Sequence, residues 1–245
     1  MSTKPSKKPF AGRFMDRLFS CARGRAFMLN LLADAEIEDE GKVFETLKAR
    51  VDDAELRKLV RIHHDDEKRH NLMLLECVAR NGGAPGPVPP ELRVAHRLDE
   101  ELGGFFDSFI GGRKDVMEAY VLLLVLEERA CFQFPLLVET LHKYDPNSAR
   151  VLDQVLCDER RHARYARAIS RRYAPDPETL AETIERFSAA EERAVNRYTA
   201  DLIRHALDHD LLPVGGLERL FWRAMAKFGR MTVTPLPALQ VEHAT

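Results

Sequence analysis

The amino-acid sequence predicts an all-α protein. Strand signals are almost absent, apolar residues recur with a period of about 3.6 residues, and residues that favour helix starts and ends border the periodic stretches. The chain has 245 residues, of which 45% are hydrophobic, so it is long enough to bury a substantial core. We therefore expect a bundle of long helices.

The periodic stretches predict four long helices, named A to D, with other helices before, between and after them. The predicted ranges are about 11–22 (a short leading helix), 24–50 (helix A), Asp52 or Asp53 to 80 (helix B), 91–103 (a short helix), 114–142 (helix C), 146–173 (helix D), 177–208 (helix E) and 216–228 (a last helix). The tail after Met231 is expected to be loosely ordered.

Each border in the first half of the chain has a local reason. Helix A carries an apolar stripe that consists of Leu29, Leu32, Ala33, Val43, Phe44 and Leu47. Helix B starts at Asp52 or Asp53, whose side chain can cap it, and ends at the turn signal Asn81-Gly82-Gly83. The Gly- and Pro-rich stretch 83–90 predicts a linker.

The second half of the chain has equally clear start signals. Gly103-Gly104 ends the short helix, and helix D starts at Asp145-Pro146 or at Ser148. Helix E starts at Asp176-Pro177, where aspartate caps the helix and proline fits the first helical position.

The lengths of the connections predict the topology. Short turns join A to B and C to D, which makes each pair an antiparallel hairpin, whereas about thirty residues separate B from C. Two hairpins joined by a long crossover is the connectivity of ferritin-like four-helix bundles. We divide the chain into a leader with a short helix (1–23), the bundle (24–173), and C-terminal helices packed on the bundle with a tail (174–245).

Composition and charge exclude several classes of protein. The formal net charge is −2, from 37 basic and 39 acidic residues, so no overall basic surface for nucleic acid or an anionic membrane is indicated. The four cysteines form no CxxC pair, which argues against a disulfide scaffold, a zinc ribbon and a rubredoxin-type iron site. We see no secretory signal or membrane-spanning stretch and expect a cytoplasmic protein.

The sequence Asp-Glu-basic-Arg-His occurs twice, as 66–70 on helix B and as 158–162 on helix D. In each copy the Glu and the His stand three residues apart, so they share one face of the helix. Both pairs interrupt a stripe of apolar residues. Because a buried carboxylate is costly unless it is paired or bound to a metal, the two copies predict the halves of a dinuclear metal site.

A carboxylate on each of the other two helices completes the predicted ligand set. Glu36 lies on the apolar stripe of helix A, 31 residues before Glu67. On helix C the candidates are Glu127 and Glu128, which lie 32 and 31 residues before Glu159. One Glu from each of two helices and Glu-x-x-His from each of two others is the ligand set of di-iron and di-manganese carboxylate bundles. The alternative is a bundle without metal whose buried acids are salt-bridged.

Neighbouring residues are expected to hold the ligands in place. Asp66 and Asp158 each precede a ligand Glu and are natural acceptors for the second ring N–H of the ligand histidines. Arg69 and Arg161 are expected to pair with these aspartates. His63 lies four residues before Glu67, and we expect it to be a neighbour of the site or a core residue rather than a further ligand.

These residues resemble a known superfamily. The paired D-E-x-R-H motifs, with a glutamate on each preceding helix, look like the ferritin-like di-iron carboxylate superfamily over residues 24–173. Glu127-x-Arg129-x-Cys131-x-x-Phe134 is similar to the E-x-R-x-C-x-x-F pattern of bacterial tRNA hydroxylases that act on thiolated, isopentenylated adenosine. That resemblance implies Glu127 as the helix C ligand and O₂ activation at two irons. The resulting ligand set is Glu36, Glu67, His70, Glu127, Glu159 and His162.

The first functional hypothesis is a non-haem di-iron oxygenase or hydroxylase, an oxidoreductase of the monooxygenase type that contains two iron ions or manganese and iron. We expect its apolar lining to consist of Leu32, Leu124, Cys131, Phe134 and Leu156. We expect an external electron donor, a monomer or homodimer, and a substrate that is a small molecule or is bound to a carrier or a tRNA. The alternative is a rubrerythrin- or ferritin-like peroxide reductase or iron-binding protein; a third hypothesis is a helical interaction module without catalysis.

Helix D also carries a strip of arginines on one face. Its members follow a four-three-four spacing and are Arg160, Arg164, Arg167 and Arg171. One interpretation is a solvated face paired with acids of helix E, such as Glu191 and Glu192. The other is a docking strip for an anionic partner, namely a nucleic acid, a carrier protein or an acidic ferredoxin.

Overall fold

The computed structural model describes residues 10–37, 44, 47, 53–107 and 111–228. This part of the chain forms a bundle of eight α-helices and contains no strand, as predicted. The helices are α1 (Phe10–Phe19), α2 (Ala22–Ala35), α3 (Ala54–Arg80), α4 (Val94–Leu102), α5 (Arg113–His142), α6 (Pro146–Tyr173), α7 (Pro177–Asp208) and α8 (Gly216–Phe228). None of these helices combines the length and the apolar character that a membrane span requires. The predicted tail after Met231 lies outside the described residues.

The predicted start signals are confirmed where they are described. Asp53 caps α3 by accepting hydrogen bonds from the backbone N–H groups of Glu55 and Leu56, at 2.9 and 3.1 Å. Asp145 and Asp176 cap α6 and α7, and each is followed by a proline at the start of its helix. Local chemistry therefore sets these borders, which is why they could be located from sequence.

The prediction of one continuous helix A is wrong. Helix α2 ends at Ala35, and Glu36 lies in a turn, although Phe44 and Leu47 further on are helical and buried. A neighbouring helix stabilises this end: the side-chain amide of Asn71 on α3 donates to the carbonyl of Ala33 at 2.6 Å. It satisfies one of the carbonyls that a helix end leaves unpaired. The remaining residues of the stretch 38–52 are outside the described part of the chain.

Contacts at the two ends of the bundle show the directions of the long helices. At one end the amide of Asn81, just after α3, donates to Asp145, just before α6, at 2.7 Å. At the other end Arg172, near the end of α6, contacts Asp53 at 2.7 Å and accepts a hydrogen bond from Arg113 through its carbonyl. Helices α3 and α5 therefore run in the same direction and α6 runs against both. The connection between α3 and α5 crosses the length of the bundle, as predicted.

A layer of polar side chains divides the interior into two apolar clusters. Along α3, Val60 belongs to one cluster and Leu74 to the other, and the buried His63, Glu67 and His70 lie between them. The same order holds on α6, where Leu156 precedes the polar pair and Ala163 follows it in the opposite cluster. The polar layer is thus closed off from water by apolar packing on both sides.

Helix α7 packs on the bundle through charged groups as well as apolar ones. The guanidinium of Arg129 on α5 forms a buried bidentate ion pair with Glu191 on α7, at 2.5 and 2.7 Å. Nearer the end of α7, Asp201 pairs with Arg97 of α4 at 2.7 Å. Because a fork-to-fork pair fixes both distance and orientation, it sets the register of α7 against α5.

Candidate metal centre

The polar layer brings together seven side chains from four segments of the chain. Six of them are the predicted ligands, and the seventh is His63 on α3. All seven are buried, and the three imidazoles are completely inaccessible to water. The contributing residues are Glu36 after α2, His63, Glu67 and His70 on α3, Glu127 on α5, and Glu159 and His162 on α6.

The seven side chains form two groups of four that share one member. One group is Glu36, Glu67, His70 and Glu159; the other is His63, Glu67, Glu127 and His162. Within each group, one potential ligand atom per residue lies within 4.8 Å of every other. Two ligands on opposite sides of an ion with bonds of about 2.1 Å are about 4.2 Å apart, so each group has a size that suits one metal ion.

Glu67 and Glu159 each direct one carboxylate oxygen to one group and the second oxygen to the other group. Oε1 of Glu67 lies 3.2 Å from Nδ1 of His162, and its Oε2 lies 3.7 Å from Nδ1 of His70. For Glu159, Oε1 lies 3.4 Å from His70 Nδ1 and Oε2 lies 3.3 Å from His162 Nδ1. A carboxylate in this position can bridge two ions. Glu36 lies only 3.1 Å from His70, and Glu127 lies in the other group, so each serves one position.

His63 has a closer place in the centre than the sequence suggested. Its Nε2 lies 2.8 Å from Oε1 of Glu67 and 3.0 Å from Oε1 of Glu127. Its ring stacks on that of His162 with centroids 3.8 Å apart, and its Nδ1 contacts the hydroxyl of Tyr165. The signal was its position four residues before Glu67, which places both side chains on one face of the helix.

The two aspartates of the repeated motif hold the histidines in a crossed arrangement. The Nε2–H of His70 on α3 donates to Asp158 on α6 at 3.2 Å, and that of His162 on α6 donates to Asp66 on α3 at 3.3 Å. An ionised carboxylate can only accept, so Nε2 carries the hydrogen and Nδ1 faces the glutamates. The predicted contacts between the aspartates and these histidines are confirmed, with the added finding that each aspartate contacts the histidine of the other copy.

The two motif arginines complete this network, as predicted. Arg69 donates to Asp66 at 2.6 Å and to Asp158 at 2.7 Å. Arg161 pairs with the same two aspartates. Both arginine side chains are about half exposed, at 50% and 43%, so the network links the buried histidines to the protein surface.

Of the two adjacent glutamates on α5, Glu127 lies in the cluster and Glu128 does not. Glu127 is buried against His63, whereas Glu128 forms an ion pair with Arg167 of α6. Neighbouring residues on a helix point about 100° apart, so only one of the two can face the centre. The observed orientation agrees with the choice that the resemblance implied; ligation itself stays a prediction.

The arginine strip on α6 is not paired in the expected way. Arg167 contacts Glu128 of α5, and Glu191 on α7 is paired with Arg129, which lies outside the strip. The prediction that Glu191 neutralises the strip is therefore wrong, because that carboxylate is buried against α5. The remaining members, Arg160, Arg164 and Arg171, are exposed.

Burial and mutual contacts shift the pKa values of Glu67, His63 and His162. Burial opposes protonation of His162, but contacts with Glu159 and Glu67 outweigh it and raise its pKa to about 10. Burial likewise opposes ionisation of Glu67, yet contacts with Glu36 and the imidazoles hold its pKa well below the usual range. His63 differs, because burial dominates and lowers its pKa. The cluster thus attracts positive charge, either as protons or as cations.

A cavity of about 140 Å³ borders the four glutamates of the centre. Its apolar lining includes Met28, Leu31, Leu32, Leu92, Leu126, Ala130 and Phe134. Leu32 and Phe134 were predicted to line it, but Leu124, Cys131 and Leu156 do not. Leu124 and Leu156 are buried within the apolar clusters, and Cys131 lies one residue beyond Ala130, about 100° further around α5.

The donor atoms fit metal ions. Oε1 of Glu67 is fully buried and receives no hydrogen bond of regular geometry from the described residues, although two ring nitrogens lie within 3.2 Å of it. Four carboxylates together carry the charge that balances two divalent ions, and oxygen with imidazole nitrogen suits first-row metals. The chain matches no family model, no curated protein and no solved structure. The chemistry of the centre therefore rests on its own geometry: these buried groups can hold metal.

Proposed function

We propose that this protein is a non-haem di-iron oxygenase of the monooxygenase type, built on a ferritin-like arrangement of α2, α3, α5 and α6. The observation that carries the proposal is the pair of carboxylates, Glu67 and Glu159, that each reach both metal groups beside an apolar cavity. The crossing connection between α3 and α5 and the Glu-x-x-His pairs support the arrangement.

The side chains have distinct roles in this proposal. Glu67 and Glu159 would hold both ions, Glu36 and Glu127 would each hold one, and His70 and His162 would each supply a nitrogen ligand through Nδ1, the ring nitrogen that faces the glutamates. The aspartates accept the Nε2 hydrogens and fix the ring orientation. When bound, two iron ions, or manganese and iron, would supply the reduction of dioxygen that the protein side chains cannot perform.

The reaction class requires an external electron donor. Insertion of one oxygen atom into a substrate C–H bond consumes dioxygen, two electrons and two protons, and releases the hydroxylated product and water. The cavity beside the acids is lined mainly by apolar side chains, which would reduce the access of competing water to the reacting groups. A cavity of about 150 Å³ can hold benzene, so a substrate on a carrier protein or a tRNA would place only a small apolar group in this one of about 140 Å³.

The test is the reaction of the iron-loaded protein with oxidants. Metal-free protein is loaded with Fe(II) without air, its iron content is measured, and it is then mixed with dioxygen or with hydrogen peroxide. We expect two irons per chain, oxidation by dioxygen with one O₂ consumed for each pair of ferrous ions, and a monomer or dimer by light scattering. Faster oxidation by peroxide than by dioxygen would favour the peroxide reductase alternative, and a large cage with many irons per chain would favour storage.

A matched pair of variants controls this test. Replacing both ligand histidines, His70→Ala with His162→Ala, should abolish stoichiometric iron binding. Replacing His205 and His209 by Ala, which removes a stacked imidazole pair outside the centre, should leave two irons per chain. Full iron occupancy in the first double variant would contradict the proposed ligand set.

A further inference from the structure

The two helices that carry the repeated motif differ at two positions close to the motif. Four residues before the motif Glu, α3 has His63 and α6 has Val155. Three residues after the motif His, α6 has Tyr165 and α3 has Met73. The residues that break the repeat, His63 and Tyr165, contact each other across the two helices.

His63 has the geometry of a ligand and not only of a neighbour. Its Nε2 points at the same two carboxylate oxygens that surround His162 Nδ1, namely Oε1 of Glu67 and Oε1 of Glu127. The two rings are stacked with centroids 3.8 Å apart, so Nε2 of His63 and Nδ1 of His162 lie beside the same two carboxylate oxygens. A ring that merely filled the core would not need to direct its nitrogen at two buried acids.

We propose that His63 is a third nitrogen ligand of the metal centre, bound through Nε2, and that Tyr165 holds its ring in the required tautomer. The proposal rests on the dinuclear centre proposed above but not on its reaction with dioxygen. A ligand nitrogen must be free of hydrogen, so Nδ1 of His63 must carry the ring hydrogen and donate it to an acceptor. The hydroxyl oxygen of Tyr165, in contact with Nδ1, is that acceptor.

A third imidazole makes the two metal positions unequal. The position with Glu36 and His70 would have one nitrogen donor, whereas the position with Glu127 would have two, from His63 and His162. Glu67 and Glu159 reach both positions, so the carboxylates do not distinguish them. Imidazole suits iron and zinc, carboxylate suits manganese, and a given site generally binds cobalt more tightly than manganese. Cobalt should therefore fill the position of His63 and His162 first, and manganese should distinguish the two positions less.

The competing role is that of a hydrogen-bond donor. In that role Nε2 of His63 keeps its hydrogen, donates to Glu67 and Glu127, and positions them without touching a metal. The two roles differ in how much metal affinity is lost when the imidazole of His63 is removed. Loss of an outer hydrogen-bonding partner typically weakens metal binding about 10- to 100-fold, and loss of a ligand removes a metal–nitrogen bond and should exceed that range.

The experiment measures Co(II) and Mn(II) binding to the metal-free protein by calorimetry, with absorption spectra for cobalt. Wild type should bind two Co(II) with separate affinities. In His63→Ala, one of the two Co(II) affinities should fall by more than the about 100-fold expected for an outer partner, and the cobalt spectrum should lose the features of the nitrogen-rich position. In Tyr165→Phe, the same affinity should fall within the range for an outer partner. The control His64→Ala changes the next residue, which lies in neither group, and should retain both affinities.

The outcomes separate this inference from the proposed function. His63→Gln keeps most of the side-chain volume and replaces His63→Ala if circular dichroism shows that the alanine variant does not fold. Two unchanged Co(II) affinities and an unchanged cobalt spectrum in the folded variant would overturn the inference. A wild-type protein that binds two cobalt ions, loses one with His63, and fails to oxidise iron with dioxygen supports the inference and rejects the oxygenase. A wild type that binds no metal overturns both.

Discussion

The two copies of the Asp-Glu-basic-Arg-His motif, 66–70 on α3 and 158–162 on α6, make equivalent contacts through their own residues. They differ in the residue that lies four positions before the motif Glu. Each copy supplies a carboxylate that reaches both metal groups, and each supplies an aspartate that holds the histidine of the other copy. On the inner side, α3 adds His63, where α6 has the buried, apolar Val155. On the proposed ligand set, the repeat would provide a scaffold for two ions, and His63 would make the two positions different.

This comparison also explains why the motif occurs twice. The crossed hydrogen bonds need an aspartate one residue before each Glu and a histidine three residues after it, on two helices that run in opposite directions. Antiparallel helices bring the start of one motif opposite the end of the other. One copy alone could not satisfy its own histidine in this way, so the two copies work as one unit.

The largest effect is expected from the two bridging glutamates. Glu67→Ala should remove both metal ions, because this carboxylate belongs to both groups. If the copies are equivalent in this respect, Glu159→Ala should do the same. Glu36→Ala should leave one ion bound, because Glu36 serves one position. Metal content after equilibrium dialysis is the measurement, and retention of one firmly held ion in Glu67→Ala would break the equivalence.

The second prediction tests the crossed hydrogen bonds, in which each aspartate contacts the histidine of the other copy. Asp66→Ala should weaken metal binding about 10- to 100-fold, and the affected position should be that of His162 rather than that of His70 on its own helix. The measurement combines variants. In His162→Ala, the further change Asp66→Ala should reduce metal affinity little, because both changes affect the same position. In His70→Ala, the same further change should leave both positions weakened. Asp158→Ala should give the mirror pattern.

The control for the crossing is an adjacent acid. Asp65 on α3 is exposed and lies outside the described metal groups, so Asp65→Ala should leave both affinities unchanged. If Asp66→Ala instead weakens metal binding only at the position of His70, the aspartate acts on the histidine of its own helix, and the crossed arrangement is wrong.

Much of this architecture follows from sequence because its causes are local. Helix starts at Asp53, Asp145 and Asp176 depend on a capping side chain and the residues next to it, and a buried Glu or His on an apolar stripe is visible in the periodicity. The motif repeat also indicates that the two helices meet, since each half needs the other. These features need no knowledge of the tertiary structure.

The features that sequence did not reveal depend on partners far along the chain. Near the end of α2, the carbonyl of Ala33 accepts a hydrogen bond from Asn71, 38 positions further along the chain. The contact of His63 with Tyr165 joins residues 102 positions apart. The cavity lining was misjudged for the same reason. Periodicity shows that Leu124 and Leu156 are buried, but not whether they face the centre or an apolar cluster.

The third prediction uses pH to compare the imidazoles. The pKa of His162 is raised from 6.5 to about 10, so its proton stabilises the metal-free fold fully below pH 6.5, and this stabilisation is lost as the pH rises towards 10. Metal binding must displace that proton. We therefore expect the melting temperature of the metal-free protein to fall between these pH values, and metal affinity to rise about tenfold per pH unit for each proton released.

Two measurements check the pH prediction. Calorimetric titrations in buffers of different ionisation enthalpy count the protons released on binding, and thermal unfolding with and without metal follows stability. The metal-loaded protein should lack the alkaline decline, because His162 has already lost its proton. A metal-free protein whose stability is constant from pH 6.5 to 10 would show that the glutamates do not hold a proton on His162.

The smallest effect is expected where the two copies are most alike, at Arg69 and Arg161. Each arginine contacts both Asp66 and Asp158, so each can replace the other. Both are about half exposed, where an ion pair contributes at most about 1 kcal/mol. Arg69→Ala and Arg161→Ala alone should therefore weaken metal binding by no more than about fivefold, and increasingly less as salt is added.

The double variant, Arg69→Ala with Arg161→Ala, tests whether the two arginines can replace each other. Without both guanidiniums the bonds that remain to the aspartates, among the described contacts, are those to His70 and His162. The loss of metal affinity should therefore exceed the sum of the two single effects in free-energy terms. Metal affinity measured for wild type, both single variants and the double variant gives this coupling. If the two losses simply add, the arginines act independently and do not substitute for one another. If either single variant weakens metal binding as much as Asp66→Ala does, that arginine orients the ligand histidine. The two copies would then differ in function although their sequences are alike.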